Sequence, residues 1–364
     1  MKHFECIIVG GGPAGLCAAD AALEAGVSVC IIDRNPKLGG QLLKQTHKFF
    51  GSQAQHAKVR GFDIAQLLID KITSHPNCTI LTDTTVVGLY PGPIITTYDQ
   101  EVYKQYRTDK VIVATGASEK TLAFENNDLP QIMGAGAIQT LMNVYGVLPA
   151  KEVVMIGSGN IGLIVSYQLL QAGIKVKALV EASDTIGGYL VHASKLIRHG
   201  VPIKTSTTIK RAIGTTHLEA VELVKLDENW NEIEGTSEIM DVDTCCIAVG
   251  LSPMHQLLSM LNVKTKYIGP LGGFVPIVNK QHQTSDLNVY VVGDALGIEE
   301  ASSAMMEGYC CGLYVADSLS KTHPDHAKLL EHYYQQLTQL RDGPYGEHAK
   351  KGLAMMRKEH EHAG

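Results

Sequence analysis

A glycine-rich turn near the start of the chain restricts the possible folds more than any other stretch. The apolar residues 6–9 are typical of a buried strand, and an alanine-rich helix is predicted over residues 14–24. Between them stand Gly10, Gly12 and Gly15 in a G-x-G-x-x-G pattern. Gly10 allows a tight turn, Gly12 lets backbone N–H groups approach a pyrophosphate, and Gly15 lets the helix pack closely on the strand.

An acidic residue completes this pattern at the expected position. A second strand is predicted over residues 27–32, and Asp33 follows it directly. A carboxylate at this spacing from Gly10 can accept hydrogen bonds from both hydroxyls of an adenosine ribose. A G-x-G-x-x-G turn alone is a weak signal, because a tight glycine turn can exist without a ligand. The strand–turn–helix–strand context and the acid together favour a dinucleotide site.

The same pattern returns in the middle of the chain, which indicates an internal duplication. The matching positions, all related by one constant offset, are Gly10 and Gly157, Gly12 and Gly159, Gly15 and Gly162, Gly26 and Gly173, and Val29 and Val176. Glu181 ends the second strand of the second copy, where Asp33 stands in the first. A carboxylate there favours a free ribose 2′-hydroxyl over a 2′-phosphate, and therefore NAD over NADP. The duplication, about 35 residues long, predicts two dinucleotide-binding units.

Three other apolar runs end in short polar or glycine-containing turns. Two of them end in Ala114-Thr115-Gly116 and Ala248-Val249-Gly250, which correspond to each other in the two copies. The third, over residues 289–292, ends in Gly293-Asp294, and a helix is predicted from about residue 300 to residue 320.

The segments between these motifs give weaker signals. A β-hairpin is predicted near residues 94–106, a connection with one helix over residues 118–150, and a β-meander over residues 218–249. One helix is predicted in the polar tail, over residues 329–340, and the end of the chain, over 345–364, is expected to be loosely tied down.

Composition excludes several classes of function. The net charge is −6 and no basic block occurs, so nucleic acid and anionic membranes are not expected partners. No apolar run approaches the length of a membrane span, and no signal peptide is expected. None of the eight cysteines forms a C-x-x-C pair, which fits a reducing cytoplasm. The six histidines after residue 320 match no closed metal site, so no metal is expected.

Taken together, the motifs resemble the two-dinucleotide-binding-domain flavoproteins of the pyridine nucleotide–disulfide oxidoreductase type. Both glycine motifs, their acidic partners and the two other turns occur in the family's order over residues 6–320. The resemblance implies an α/β fold with two Rossmann-like three-layer ββα domains and a helical C-terminal tail, the NAD domain being inserted into the FAD domain. The implied boundaries are 1–118 and 251–320 for the FAD-binding domain, 119–250 for the NAD(H)-binding domain, with a connection over 119–150, and 321–364 for the tail.

The resemblance also implies which residues hold each cofactor. For FAD they are Gly10, Gly12, Pro13, Ala14 and Gly15 at the pyrophosphate, Asp33 at the ribose, Val86 at the adenine edge, Asp294 at the ribityl chain or a nearby hydroxyl, and Arg34, Gly40, Gln41, Thr115, Gly116 and Gly293 elsewhere. For NAD(H) they are Gly157, Gly159, Asn160, Ile161, Gly162 and Glu181. The segment after Gly40 is expected to pass the flavin ring. His47 could act there as an acid–base group and Lys44 could stabilise reduced flavin, although a solvent-facing or phosphate-contacting histidine and a surface lysine are the simpler interpretations.

A narrower resemblance concerns the FAD/NAD-binding subunits of hetero-oligomeric amine and amino-acid dehydrogenases, a group with sarcosine oxidase alpha chains, opine oxidase, proline dehydrogenase and cyanide synthase subunits. It rests on Gly39-Gly40-Gln41-Leu42, on the second glycine turn and on Glu299-Glu300-Ala301. Many chains of that group continue into a domain whose cysteines hold a [2Fe-2S] cluster. No cysteine follows Ser320 here, so no cluster is expected on this chain.

The leading hypothesis is therefore an FAD-dependent oxidoreductase subunit that uses NAD(H) within such a dehydrogenase. A second flavoprotein or an iron–sulfur subunit is the expected partner, and the substrate is a small molecule. Either that substrate meets the flavin directly or another subunit supplies the substrate site. Two alternatives stay open: a stand-alone NADH-dependent flavin reductase of a quinone, dye or oxygen, and a non-catalytic, nucleotide-bound scaffold subunit.

Overall fold

The computed structural model describes residues 1–49, 53–343 and 346–363, with the side chains of residues 360–363 left out. The chain forms two compact units. One consists of residues 1–118 and 252–364, and the other of residues 119–251.

The first unit is built on a seven-stranded sheet. Its strands are β1 (Lys2–Val9), β2 (Val29–Ile32), β3 (Cys78–Leu81), β4 (Thr85–Tyr90), β5 (Ile94–Tyr98), β6 (Tyr103–Val113) and β19 (Val289–Val291). Five strands run parallel in the order β3-β2-β1-β6-β19, and β5 and β4 continue antiparallel from the first half of β6. Val9 pairs with both Ile32 and Val113, so β1, β2 and β6 end at the same edge of the sheet.

One face of this sheet is covered by the helices α1 (Pro13–Glu24), α2 (Gly61–Thr73), α6 (Ala301–Ser318) and α7 (His326–Leu340). Another helix, α8 (Glu347–Ala363), packs on the other face. On β1, Cys6 and Ile8 pack with the core that includes α1, α2 and α6. Ile7 and Val9 face the opposite core, where the antiparallel pair β17 (Thr265–Ile268) and β18 (Gly273–Pro276) packs. Successive side chains of β1 thus point alternately into two cores, one on each face of the sheet.

For the first unit, one expectation is confirmed and one is wrong. The hairpin near residues 94–106 is present, and its second strand continues into the buried strand as β6, whose two halves pair with different neighbours. The end of the chain is not loosely tied down in the part that is described. Residues 347–363 form α8, and Met356 is only 1% exposed in the core under β17 and β18.

The second unit also has three layers. A parallel sheet in the order β11-β10-β9-β15-β8 lies between helices and a small antiparallel sheet, β12-β13-β14. The strands are β8 (Ile132–Gly134), β9 (Glu152–Ile156), β10 (Lys175–Val180), β11 (Ile203–Lys204), β12 (Thr207–Ile213), β13 (Ala220–Lys225), β14 (Glu238–Asp241) and β15 (Thr244–Ile247). The helices are α3 (Ala135–Asn143), α4 (Asn160–Gln171) and α5 (Leu190–Arg198). Two short strands, β7 (Ala117–Glu119) and β16 (Leu251–Pro253), occur where the chain passes from one unit to the other.

The predicted α/β class, with one three-layer unit inserted into another, is confirmed. The predicted meander over residues 218–249 is only partly correct. β13 and β14 are antiparallel neighbours, but β15 leaves them to join the parallel sheet beside β9. The connection over residues 118–150 contributes a strand as well as a helix, since β8 pairs with β15.

Candidate cofactor sites

The first glycine turn connects β1 to α1 at the carboxyl edge of the sheet. Gly10 has a φ of +107°, and a Cβ there would lie 2.3 Å from the Ala114 carbonyl oxygen. A Cβ on Gly15 would lie 2.0 Å from the Gly10 carbonyl oxygen. Both positions therefore require glycine for reasons internal to the protein: one for the turn and one for the close approach of the helix.

Gly12 differs, because none of the described residues requires a glycine there. Its φ of −79° and ψ of −173° suit any residue, and the nearest atom to an added Cβ is Gly40 Cα at 3.9 Å. Gly12 is also the N-cap of α1, and no side chain caps that helix end. Pro13 occupies the first helical position. An uncapped helix N-terminus behind an open glycine is suited to bind a pyrophosphate, so these residues fit FAD.

Asp33 is almost fully buried, with 7% of its surface exposed, and it joins two loops at this edge. Its Oδ2 accepts a hydrogen bond from Gly11 N at 2.7 Å, and its Oδ1 accepts one from Asn35 N at 2.8 Å. A carboxylate oxygen has room for more than one donor, so ribose hydroxyls could still bind. The neighbouring Arg34 is exposed. The structure thus gives Asp33 a second task that the sequence pattern did not reveal: it holds the glycine turn in place.

A second glycine pair lies directly against this turn. Gly39 donates its N–H to the Gly11 carbonyl at 2.7 Å, and a Cβ on Gly40 would lie 2.8 Å from Gly12 Cα. A short 3₁₀ helix, Gly40–Lys44, follows and carries Gln41 on its exposed side. The structure therefore brings Gly39 and Gly40 directly against the first glycine turn, and Gln41 and Lys44 follow on the 3₁₀ helix.

Three other residues that were predicted to lie near FAD are on further segments of the first unit. His47 stacks on Phe49, with ring centroids 5.9 Å apart. Val86 is on β4, where it pairs with Thr97. Thr115, beyond the end of β6, donates its hydroxyl to the Met254 carbonyl at 2.6 Å.

The Gly293–Asp294 turn is supported by residues that the sequence analysis missed. Glu307 on α6 accepts a hydrogen bond from Gly293 N at 3.1 Å. Arg341, at the end of α7, donates to both oxygens of Glu299 at 2.8 and 2.7 Å and to Glu307 at 2.5 Å. A signal for this cluster existed, because Glu307 is a charged residue in the buried middle of α6 and needs a buried partner.

Burial dominates the titration of this cluster. It raises the pKa of Asp294 to about 7, together with the nearby carboxylates of Glu307, Glu299 and Glu300. Burial also raises the pKa values of Glu299 and Glu307, while Arg341 acts in the opposite direction on both.

The raised pKa of Asp294 leads to a testable pH dependence of stability. The ordinary value is 3.8, so between about pH 4 and pH 7 the folded chain keeps a proton that the unfolded chain has lost. The stability contribution is fully present below pH 3.8 and is lost as the pH rises through about 7. Replacing Asp294 by asparagine should reduce the loss of unfolding free energy between pH 5 and pH 8 by about 2 kcal/mol, measured by urea unfolding of FAD-free protein.

His282 contributes a pH dependence of the opposite sign, because burial lowers its pKa to about 4 and stability therefore rises with pH. That slope is present in both proteins and cancels in the comparison. Identical pH profiles for wild type and Asp294→Asn would contradict the prediction.

The second glycine turn, in the second unit, repeats the first. A Cβ on Gly157 would lie 2.3 Å from the Ala248 carbonyl oxygen, and one on Gly162 would lie 2.1 Å from the Gly157 carbonyl oxygen. Gly159 has no atom within 4 Å of an added Cβ, and it is the N-cap of α4 without a side-chain cap. The repeated geometry includes the open middle glycine, so this turn also fits a dinucleotide pyrophosphate.

Glu181 occupies the place that Asp33 holds in the first unit. Its Oε2 accepts hydrogen bonds from Ser158 N at 2.9 Å and Ser158 Oγ at 2.5 Å, and its Oε1 accepts one from Ser183 N at 3.0 Å. On α4, Asn160 Oδ1 accepts a hydrogen bond from Tyr189 N at 2.9 Å, and Ile161 is 38% exposed. The fixed carboxylate thus lies beside the glycine turn, where an adenosine ribose would bind.

The eight cysteines, all of them among the described residues, offer no redox pair. None is disulfide-bonded, and all except the half-buried Cys78 are buried. Cys245 and Cys246 lie on opposite faces of β15, in different cores. Burial raises the pKa values of Cys245 and Cys310 to about 12, so these thiols stay protonated at neutral pH.

In the described part of the chain, no three His, Cys, Asp or Glu side chains are grouped so that they could hold a metal ion. The side chains of His360 and His362 lie outside that part. Among the described residues, no helix combines the length and the apolar composition needed to cross a bilayer.

Comparisons with known proteins agree with this geometry. The family described as "Pyridine nucleotide-disulphide oxidoreductase" matches residues 4–308. The sarcosine oxidase alpha subunit of Rhizobium meliloti (strain 1021) is 28% identical over 70% of this chain and 25% of its own length. An opine oxidase subunit of Agrobacterium tumefaciens (strain Ach5) is 23% identical over 85% of this chain and 65% of its own length.

The solved structure of L-proline dehydrogenase from P. horikoshii shares the fold, with a TM-score of 0.72, 23% identity and coverage of 93% of this chain and 59% of that one. The relatives fall in the group that the narrower sequence resemblance predicted. The chain spans only about a quarter of the length of the sarcosine oxidase alpha subunit that it matches.

Proposed function

Since this chain belongs to the pyridine nucleotide-disulphide oxidoreductase family and is an FAD-dependent oxidoreductase, we propose that it transfers hydride between NAD(H) and FAD as one subunit of a hetero-oligomeric amine or amino-acid dehydrogenase. The observation that carries the proposal is the repeated site. Two units each hold an open middle glycine at a helix N-terminus, beside a carboxylate fixed by backbone N–H groups. This arrangement suits one dinucleotide in each unit.

The first unit would hold FAD and the second would hold NAD(H). Bound flavin and nicotinamide supply the hydride chemistry, so the chain itself has to bind and orient them. Gly12 and Pro13 would place the FAD pyrophosphate, Asp33 the ribose, and Asp294 the part of FAD closer to the flavin. In the second unit Glu181 would bind the ribose of NAD(H). Lys44 and His47 remain candidates for charge stabilisation and proton transfer near the flavin.

The cysteines support an acceptor other than a disulfide. A disulfide reductase needs two thiols that can bridge and one that is reactive as a thiolate. Here the adjacent cysteines are buried and those of β15 face opposite cores. Electrons on the flavin would therefore leave to a small substrate or to a partner protein, without passing through a cystine.

A partner subunit is part of the proposal because the matched relatives are named as subunits. The partner would be a second flavoprotein or an iron–sulfur protein, and the substrate a small amine or amino acid. We further propose a cytoplasmic location, since eight free thiols suit a reducing compartment.

The proposal is tested with the chain alone and with proteins encoded beside it. The purified chain should be yellow, and NADH should bleach its flavin under anaerobic conditions. Amines and amino acids should bleach it only after co-expression with the partner. Full amine turnover by the isolated chain would contradict the partner requirement.

Two other outcomes would favour the alternatives. Rapid turnover of NADH with a dye or quinone, without a partner, would indicate a stand-alone reductase. A flavin that neither NADH nor amine reduces, even in the assembled complex, would indicate a scaffold subunit.

A further inference from the structure

We propose that Arg341 is a positioning residue for FAD: it holds the Gly293–Asp294 turn in its binding geometry by neutralising the two buried glutamates that support the turn. The inference rests on the proposed function, in which this turn binds FAD. Arg341 lies beyond the matched family region, which ends at residue 308, so the tail of the chain would become part of the cofactor site.

The ion pairs of Arg341 are unusually well protected from solvent. Arg341 has 14% of its side chain exposed, Glu299 has 9% and Glu307 has 6%. The guanidinium donates to both oxygens of Glu299 and, through one nitrogen, also to Glu307. One arginine therefore serves two buried carboxylates. Removing it would leave both of them without this partner, which is costly at low dielectric.

The same two glutamates connect Arg341 to the turn. Glu307 uses one oxygen for Arg341 and the other for the Gly293 N–H at 3.1 Å. The backbone N–H of Glu299 lies 3.5 Å from Asp294 Oδ1. Gly293 and Asp294 are thus each one residue away from the guanidinium. A change in the position or charge of either glutamate would therefore alter the geometry of the Gly293–Asp294 turn.

Charge makes this link important for an anionic ligand. Asp294, Glu299 and Glu307 are three carboxyl groups in one small region, and Arg341 is the cation that bonds to two of them. Glu300 also faces Asp294, while His282 faces Arg341, Arg357 and Glu299. Without Arg341, ionised glutamates would repel the pyrophosphate of FAD, and protonated ones would bind the Gly293 N–H differently.

Other contacts should keep α7 in place without Arg341, so charge and anchoring can be separated. Tyr333 of α7 stacks on Tyr309 of α6 with ring centroids 4.7 Å apart. Tyr334 of α7 and Tyr314 of α6 share a hydrogen bond at 3.1 Å. If Arg341 only anchored α7, the effect of replacing it would not depend on whether Glu299 carries a charge.

The experiment measures FAD affinity by titrating FAD into FAD-free protein and following the quenching of flavin fluorescence. Arg341→Met should raise the Kd of FAD at least about tenfold, and Arg341→Lys should raise it less, because lysine keeps the charge but cannot bridge both glutamates. Adding Glu299→Gln to Arg341→Met should recover part of the lost affinity, since it removes one of the two uncompensated charges.

Two matched variants control for the loss of an ion pair as such. Lys71→Met removes the partner of the buried Asp20 in the same unit, and Arg211→Met removes the partner of Glu222 in the second unit. Both should leave the Kd of FAD within about twofold of wild type, because neither ion pair includes Glu299, Glu307 or the Gly293–Asp294 turn.

Several results would overturn the inference. Wild-type FAD affinity in Arg341→Met, or no recovery on adding Glu299→Gln, would show that Arg341 does not act by neutralisation. If Arg341→Met does not fold, wild-type affinity in Arg341→Lys would have the same consequence. Absence of FAD binding by the wild-type chain would instead refute the proposed function.

Discussion

Replacing Gly12 by alanine should strongly weaken FAD binding and leave the first unit folded. The Gly12 backbone has a φ of −79°, which alanine adopts freely, and the nearest atom to the new methyl group is 3.9 Å away. The protein can therefore accept the side chain. The pyrophosphate cannot, because it has to approach the backbone N–H groups through the same space. We expect the Kd of FAD to rise by about a hundredfold or more, which corresponds to about 3 kcal/mol.

The measurement is the flavin content after gel filtration, together with the far-UV circular dichroism and the melting temperature of the FAD-free protein. Gly159→Ala is the matched variant, since Gly159 has no atom within 4 Å of an added Cβ. It should keep FAD and lose reduction by NADH. Gly26→Ala controls for strain, because Gly26 has a φ of +84° and open surroundings. It should lower stability and keep FAD. Full flavin content in Gly12→Ala would contradict the assignment of this turn.

The two glycine turns could be predicted because their requirements are local. A turn of φ near +107° and a helix packed against it need glycine at fixed offsets, whatever the rest of the chain does. The contrast between Gly12 and Gly15 could not be predicted from spacing. Both belong to the same motif, yet only the structure shows that Gly15 serves packing and that the space beyond Gly12 is open.

Strand partners were predicted less well because pairing joins distant residues. Nothing in Thr244–Ile247 itself distinguishes a strand that continues a meander from one that joins a parallel sheet. The choice is made by Val153–Ile156 on β9, far earlier in the chain, which offers a matching buried edge. The three-residue strand β8 is too short to show any periodicity.

The tail was misjudged because its buried residues are few. Residues 347–363 are mostly charged or polar, and only Ala349 and Met356 among the described side chains have less than 9% of their surface exposed. They are two helical turns apart and so lie on one face of α8. This spacing is a signal for a buried helix face, but it is easily overlooked in a mostly polar segment. Arg341 was missed for a related reason, since its glutamate partners lie 34 and 42 residues away in the sequence.

The second large effect concerns the choice between NADH and NADPH. Glu181 cannot move away from a 2′-phosphate, because Ser158 and Ser183 hold both of its carboxylate oxygens. A phosphate there would meet a fixed negative charge, so the wild-type flavin should be reduced by NADH at least about a hundredfold more efficiently than by NADPH. Glu181→Gln keeps the shape and removes the charge, and should reduce this preference to about tenfold or less.

Stopped-flow measurement of anaerobic flavin reduction at several coenzyme concentrations gives the efficiency of reduction by NADH and by NADPH. High salt should narrow the preference of the wild type and have little effect on Glu181→Gln, since only a charge repulsion is screened by ions. Asp33→Asn is the matched control: it removes the corresponding carboxylate of the first unit, and should weaken FAD binding without changing the ratio of NADH to NADPH. Equal efficiency of the two coenzymes in the wild type would mean that the ribose binds away from Glu181. In that case the second turn would hold its dinucleotide in a register different from that of the first.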